Sequence, residues 1–387
     1  MKNSSNPQKI TVISTVRFPT EKAYGVTITG TIKALEKMGH SVKVITPATL
    51  NEDQTNQNKG RILYYFRNFF SPQKPRRMFG KIQFLLFRFL FSISILPNCK
   101  GEQSIFWLRD PLVALVNRKQ LKKCIIVVEL HQELSWFDIK VIQSLNKHHN
   151  LVLAPISKYL ESQLKEKLSD FSMFSIVIAP MGVPDDFLKH VIKNNRKPQL
   201  NPFVGGYIGG FLSNGIDQNL METISCFKTY NQLAGEVKIR MKLVGIEEEY
   251  LPRVWEINSA SLEPFVDVLT RVPHFTIPKE LDEVDFFILP YPEGKNFRNR
   301  FPLKALEYAA LRKPILATKT VSHESIFSDE EVWFYNPNEC GSLIDAYEEM
   351  CKSVSARDKK QARAFNLALI YTYDFRVARV LEAILAI

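Results

Sequence analysis

Lys304 and Glu307 stand three residues apart in "NRFPLKALEYAALRKPILA" (299–317), just after a proline and at the head of an apolar-patterned segment. If Pro302 opens a helix at its first position, Lys304 falls in the first turn and Glu307 one turn deeper on the same face. A lysine at a helix start costs a few tenths of a kcal/mol against the dipole. That cost is repaid if an anion docks there, because free N–H groups and the ammonium then act together. The carboxylate one turn on can accept two sugar hydroxyls. The plain alternative is a solvated ion pair on a surface helix.

Other residues invite chemistry at similar places. "YIGGFLSNG" (207–215) ends an apolar run in Gly209–Gly210, which lets backbone approach a ligand closely, or simply makes a tight turn. "AYGV" puts Gly25 in the loop after the first apolar run. "VVELHQE" (127–133) ends a β-branched run in Glu129 and then His131, a proton handler or a hydrogen-bonded structural histidine. The remaining six histidines show no metal-ligand spacing, and no Walker A loop, GxSxG, HExxH or DxD is present. No metal is expected. Lysine, arginine and helix dipoles must then neutralise any bound diphosphate.

These residues need rigid elements behind them. Buried-strand runs occur at 9–15, 104–108, 124–130, 151–157 and 175–180, and again at 203–210, 239–245, 285–291 and 313–319. The opening "KITVIST", helix-patterned "TITGTIKALEKMGH" and "SVKVITP" form a βαβ unit, with Gly39 closing the helix. The strand–helix alternation occurs twice, on either side of a polar, basic, proline-bearing stretch at 188–202. This predicts an α/β chain of two doubly wound, Rossmann-like domains facing a cleft. The N-terminal one spans 1–190 and the C-terminal one 203–370.

The 387 residues are 45% hydrophobic and 24% charged, an ordinary globular balance with room for two domains. The net charge of +11 and pI near 9.2 point to anionic partners. Much of that charge is local: no acidic residue lies between Asp53 and Glu102. Lys59, Arg61, Arg67, Lys74, Arg76, Arg77, Lys81, Arg88 and Lys100 lie there among aromatic runs. The segment reads as a membrane-surface element, or else as a solvated helical face. Arg67, Arg76, Arg77, Lys81 and Arg88 are its candidate contacts. Nucleic acid is not expected, since no aromatic RNA-binding signature or recognition helix is visible. "IQFLLFRFLFSISIL" (82–96) is too short and too charged to span a bilayer, and residues 1–9 are too polar for a signal peptide. Five widely spaced cysteines without CxxC fit a reducing cytosol and argue against disulfides or zinc.

Taken together, these segments resemble retaining family 4 glycosyltransferases of the GT-B fold. The likeness is carried by "FPTEKAYGVTITGTIKALEKMGHSVKVITP", "FWLRDPLVAL", "VVELHQ", "ISKYLESQL", "IAPMGVPDDF" and "FVGGYIGGF", and most specifically by "FPLKALEYAALRKPILAT". The resemblance implies metal-independent transfer of a hexose from a UDP- or GDP-linked donor to a lipid-linked or surface-polysaccharide acceptor. The place would be the cytosolic face of the membrane, without cofactor. It sets Glu307 at the nucleotide ribose, Lys304 within reach of the diphosphate, Gly209–Gly210 at the diphosphate turn, Gly25 beside the donor phosphate and His131 near the transferred sugar, with Arg298, Arg300 or Lys304 as candidate substitutes for a missing basic clamp. It also implies that 371–387 return to the N-terminal domain. Three positions depart from the pattern. Asn299 replaces a second glutamate, Gly210 and Asn214 replace a basic clamp, and Arg312 replaces a turn glycine at about 1 kcal/mol if the turn is kept. A non-catalytic protein of the same fold that binds membrane or a partner enzyme is the alternative.

Overall fold

A computed structural model of the chain describes residues 7–16, 18–20, 23–47, 62–65, 78–98, 104–146, 150–169, 171–193, 202–213, 216–270, 272–294 and 301–387. The chain divides into two compact units, Met1–Gly182 with Tyr373–Ile387, and Val183–Thr372.

The first unit is built on β1 (Lys9–Ile13), β2 (Ser41–Pro47), β3 (Ile62–Tyr65), β4 (Ile105–Leu108), β5 (Ile125–Leu130), β6 (Leu151–Pro155) and β7 (Ser175–Ile176). They form one sheet in the order β3-β2-β1-β4-β5-β6-β7, parallel at every pairing. All four residues of β4 and all five of β6 are buried, as continuous apolar runs between two helical layers should be. One core cluster centres on Ile13, Phe106 and Val128, and the other on Val12, Trp107 and Val127. Alternate side chains of the same strands feed opposite faces. Gly39 closes the helix Ala23–Lys37 with φ of +90°, accepted there because glycine lacks a Cβ. The last helix, Tyr373–Leu385, belongs to this unit. The Tyr373 ring lies so close to Gly30 that a Cβ there would come within 2.4 Å of it.

The second unit carries β8 (Phe203–Ile208), β11 (Ile239–Val244), β12 (Val266–Leu269), β13 (Phe286–Leu289), β14 (Ile315–Thr318) and β15 (Trp333–Tyr335). A short antiparallel pair, β9 (Leu212–Ser213) and β10 (Ile216–Asp217), stands beside them. The main sheet runs β12-β11-β8-β13-β14-β15, all parallel. Numbered within its own unit, this is the doubly wound order 3-2-1-4-5-6, and the first unit repeats it with a seventh strand added. Both halves are therefore Rossmann-like, as expected. In each, strand order reverses beside the first strand, and the loops at the carboxyl ends there are where ligands bind such sheets.

Two expectations change. The helix Asp185–Lys193 falls in the second unit, because Val183 and Phe187 are fully buried in its core with Ile277, Leu281 and Ala305. The boundary thus lies at 182/183 and not near 190. The supposed linker begins inside this helix, and 194–201 lie outside the described residues. The cysteine expectation is also corrected. Cys226, in the helix Leu220–Ala234, and Cys340, at the head of the helix Cys340–Lys352, are joined as a disulfide with Cα atoms 5.5 Å apart. Packing of two helices 114 residues apart makes that pair, so no local spacing announces it. Cys124 and Cys351 form no disulfide.

Candidate active site

In the second unit β8 runs into Gly209, whose φ of +106° suits only glycine. A Cβ added there would stand 2.7 Å from Lys304 Nζ, so the ammonium rests on the backbone of this loop. Lys304 Nζ donates to Tyr207 Oη at 2.8 Å and lies 4.3 Å from the Tyr207 ring centroid. The Tyr291 ring, just beyond β13, is 5.8 Å away. Tyr207 Oη in turn donates to the Gly210 carbonyl at 3.0 Å. Burial, with Tyr291 and Tyr308 next, pushes the Tyr207 phenol well above its usual range, so it remains a donor at neutral pH. The result is a cation fixed at a glycine turn by an uncharged chain of hydrogen bonds.

Lys304 sits in the helix Leu303–Ala310. Pro302 is its N-cap, with β-region backbone and no side-chain cap bond, one place earlier than expected. The helix is pinned to the sheet by Tyr308, which accepts from Ile208 N at 2.8 Å and stacks on Phe287 with centroids 4.2 Å apart. Glu307 is buried, and its Oε1 lies 2.9 Å from His274 Nε2. His274 is braced by the Phe187 ring, 5.3 Å away. Lys304 and Glu307 thus have separate partners, and the solvated ion pair does not form. Glu247 lies just past β11. Its Oε2 accepts from Phe211 N at 3.1 Å, and a Cβ on Gly210 would collide with its carboxylate.

The structure therefore brings Gly209, Gly210 and Lys304 together, with Glu307 one turn further on. Arg298, Arg300, Asn299 and Asn214 lie outside the described residues. Arg312 adopts φ of +52°, so the turn keeps its left-handed form without glycine.

In the first unit His131 follows β5. Its Nε2 is 2.7 Å from Glu129 Oε2. Glu129 is only 2% exposed and faces one indole donor and two guanidinium charges. Trp107 Nε1 donates at 2.6 Å, Arg376 Nη2 lies at 2.8 Å and Arg109 Nε at 3.5 Å. Burial alone would raise the Glu129 pKa, but Arg376, the His131 hydrogen bond and Arg109 together hold it well below the usual carboxylate range. Burial and then Arg109 bring His131 down to about 4, against the pull of Glu129. Arg109 Nη1 also donates to the Tyr24 carbonyl at 3.0 Å, tying the network to the residue before Gly25. Gly25 itself is required by packing: any Cβ would strike the Thr20 carbonyl.

The basic segment is only partly described. Arg67, Arg76 and Arg77 lie outside the described residues, as does the side chain of Lys81. Arg88 is a correction. Its Nε and Nη2 donate to Asp110 at 2.7 and 2.6 Å, and Nη2 also donates to Asp138 at 2.6 Å. It lies on the inward face of the helix Met78–Ser94 with Phe87 and Phe91, as the i, i+3 spacing dictates, so its guanidinium is spent on two carboxylates of its own unit. The outward face instead shows Ile82, Leu85, Leu86, Phe89 and Ile93.

Sequence reading missed Arg109, Glu247, Tyr207, His274 and Arg376 as site groups. Arg109 and Glu247 stand just past carboxyl ends of parallel strands, and that position was a usable signal. His274 and Arg376 reach their partners from distant elements, and nothing local points to them. Among the described residues no group of three or more His, Cys, Asp or Glu is placed to hold a metal ion, and no helix is long and apolar enough to cross a membrane.

Residues 205–353 match the family model described as Glycosyl transferases group 1. Among solved structures, the chain is similar to the trehalose-6-phosphate synthase OtsA, at 14% identity and TM-score 0.75, covering 98% of this chain and 99% of that one. It is also similar to a glycosyltransferase from Rickettsia africae, at 14% identity and TM-score 0.69, covering 98% of both chains. A third likeness is to HepE of Anabaena in complex with UDP, at 13% identity and TM-score 0.67, covering 98% and 100%. No curated protein sequence matches. The structural likenesses establish the GT-B fold. The family match, within the second unit, upholds the glycosyltransferase resemblance.

Proposed function

We propose that this protein is a retaining glycosyltransferase that moves a hexose from a UDP- or GDP-linked donor to a lipid-linked or surface-polysaccharide acceptor at the inner face of the membrane, without a metal ion. The observation that carries the reading is the junction of Lys304 with the Gly209–Gly210 turn. A diphosphate at this turn would meet an ammonium held 2.8 Å from Tyr207 Oη and the head of the helix Leu303–Ala310. Stabilising the departing diphosphate there supplies the main electrostatic contribution to rate. Glu307, one turn deeper, accepts from the ribose hydroxyls, and His274 orients it. The test is donor hydrolysis or transfer by the full chain and by Lys304→Ala and Glu307→Ala. Both variants should lose activity by tenfold or more, and wild-type rates in both would refute the site.

Membrane attachment rests on the helix Met78–Ser94. Ile82, Leu85, Leu86, Phe89 and Ile93 form one exposed apolar stripe, in a chain stretch carrying nine basic and no acidic residues. Flotation with anionic vesicles should fall with added salt and should be abolished by Leu86→Asp with Phe89→Asp. Undiminished flotation of that double variant would refute this face as the anchor.

A non-catalytic reading is favoured by one observation. The Glu247 carboxylate already occupies the Phe211 amide that a phosphate would use. Failure of the full chain to bind any nucleoside diphosphate would decide for it.

A further inference from the structure

The Glu129 network uses a residue from the far end of the chain. Arg376, in the C-terminal helix Tyr373–Leu385, is fully buried and makes three contacts. Its Nε donates to the Ala179 carbonyl at 3.2 Å, Nη1 to Thr31 Oγ1 at 2.9 Å, and Nη2 lies 2.8 Å from Glu129 Oε1. The same oxygen accepts from Trp107 Nε1, which can only donate. Glu129 must therefore present lone pairs on Oε1, and two guanidinium groups keep it anionic. Its other oxygen, Oε2, faces His131 Nε2 at 2.7 Å. An ionised carboxylate accepts only, so the proton of that bond belongs to Nε2. A neutral imidazole protonated on Nε2 has its lone pair on Nδ1.

We infer that Glu129, anchored by Arg376, is a positioning residue that fixes His131 as the Nε2–H tautomer and so makes Nδ1 the acceptor for a substrate hydroxyl. The identity of that hydroxyl rests on the glycosyltransferase reading; the tautomer does not. The charged groups facing His131 are Glu129 from β5, Arg109 from beyond β4 and Arg376 from the last helix, with Tyr373 beside Arg109. The two arginines disfavour the imidazolium and Glu129 favours it. Burial tips the balance, and the ring is neutral at pH 7.

The experiment is nitrogen-15 NMR of histidine-labelled full-length protein, with the His131 signals assigned by their loss in His131→Asn. At pH 7 the signals should show a protonated Nε2 and an unprotonated Nδ1, with the titration midpoint far below the ordinary histidine value of about 6.5. A protonated Nδ1, or an imidazolium at pH 7, in the parent protein would overturn the proposal. Glu129→Gln replaces the acceptor by a group that can also donate, and should invert or mix the tautomers. An unchanged spectrum in that variant would overturn the proposal. Arg376→Met removes a positive charge and should move the midpoint upward, which a merely structural role would not do. An Nε2–H signal in a protein that turns over no donor would remove the glycosyltransferase reading and leave this assignment standing. An Nδ1–H signal in an active enzyme would do the reverse.

Discussion

The two units treat charge in opposite ways. In the first, a buried carboxylate is surrounded: Glu129 meets Arg109, Arg376, Trp107 and His131, and each of its oxygens is taken. In the second, a lysine stands at a loop: Lys304 donates to the Tyr207 phenol and lies over its ring, and the carboxylate of Glu247 sits across the same glycine turn. A closed ionic network holds its members in one geometry, because any change leaves an uncompensated charge in low dielectric. A glycine turn beside a helix start presents backbone N–H groups and dipole to an incoming anion. The first unit is therefore read as a frame that orients one histidine, and the second as the place that receives the donor.

That contrast breaks most readily at Glu129. Removing the carboxylate in Glu129→Ala strands two buried guanidinium groups, and the first unit should lose about 3–5 kcal/mol, read as a lower urea midpoint. A loss under about 1 kcal/mol would mean that the network is not closed. A smaller effect is expected at Glu247. Replacing it by glutamine removes a negative charge next to the proposed diphosphate while keeping an acceptor for Phe211 N. Nucleoside diphosphate affinity should rise by about 1 kcal/mol, roughly fivefold, in keeping with a partly exposed charge. Weaker binding would show that Glu247 supports the ligand. The smallest effect concerns the turn after the 303–310 helix. Arg312→Gly relieves φ of +52° but gives up the contact with Phe365, 5.9 Å away. The net gain should be roughly 0.5 kcal/mol in chemical denaturation. A loss would mean that the ring contact outweighs the strain.

Much of this frame was visible in the sequence where the physics is local. Buried parallel strands need unbroken apolar runs, so β1, β2, β4, β5, β6, β8, β11, β13 and β14 could be read directly. β12, "VDVL", has only its first residue fully buried, and β15 is three residues long, so neither carries such a run. β7 is shorter than its apolar run suggests, pairing over Ser175–Ile176 alone. The site divides the same way. Gly209, Gly210, Lys304 and Glu307 are marked by glycine chemistry and helix-start spacing. The partners that decide what those groups do come from elsewhere in the chain: His274 for Glu307, and Arg376 for Glu129 and His131. Arg88 shows the limit of composition. It stands in a basic segment, yet helical phase turns it inward to Asp110 and Asp138. The lesson is to place a charge on its helix face before assigning it a partner.

On the proposed function, the glycine turn and Lys304 of the second unit hold a nucleoside diphosphate. Calorimetric titration of UDP and GDP into the full chain and into Lys304→Ala tests it most directly. At least one of them should bind saturably, and about tenfold to a hundredfold more weakly to the variant, as for a lost charge-assisted hydrogen bond. Equal affinity in both proteins, or no binding by the parent chain, would contradict it.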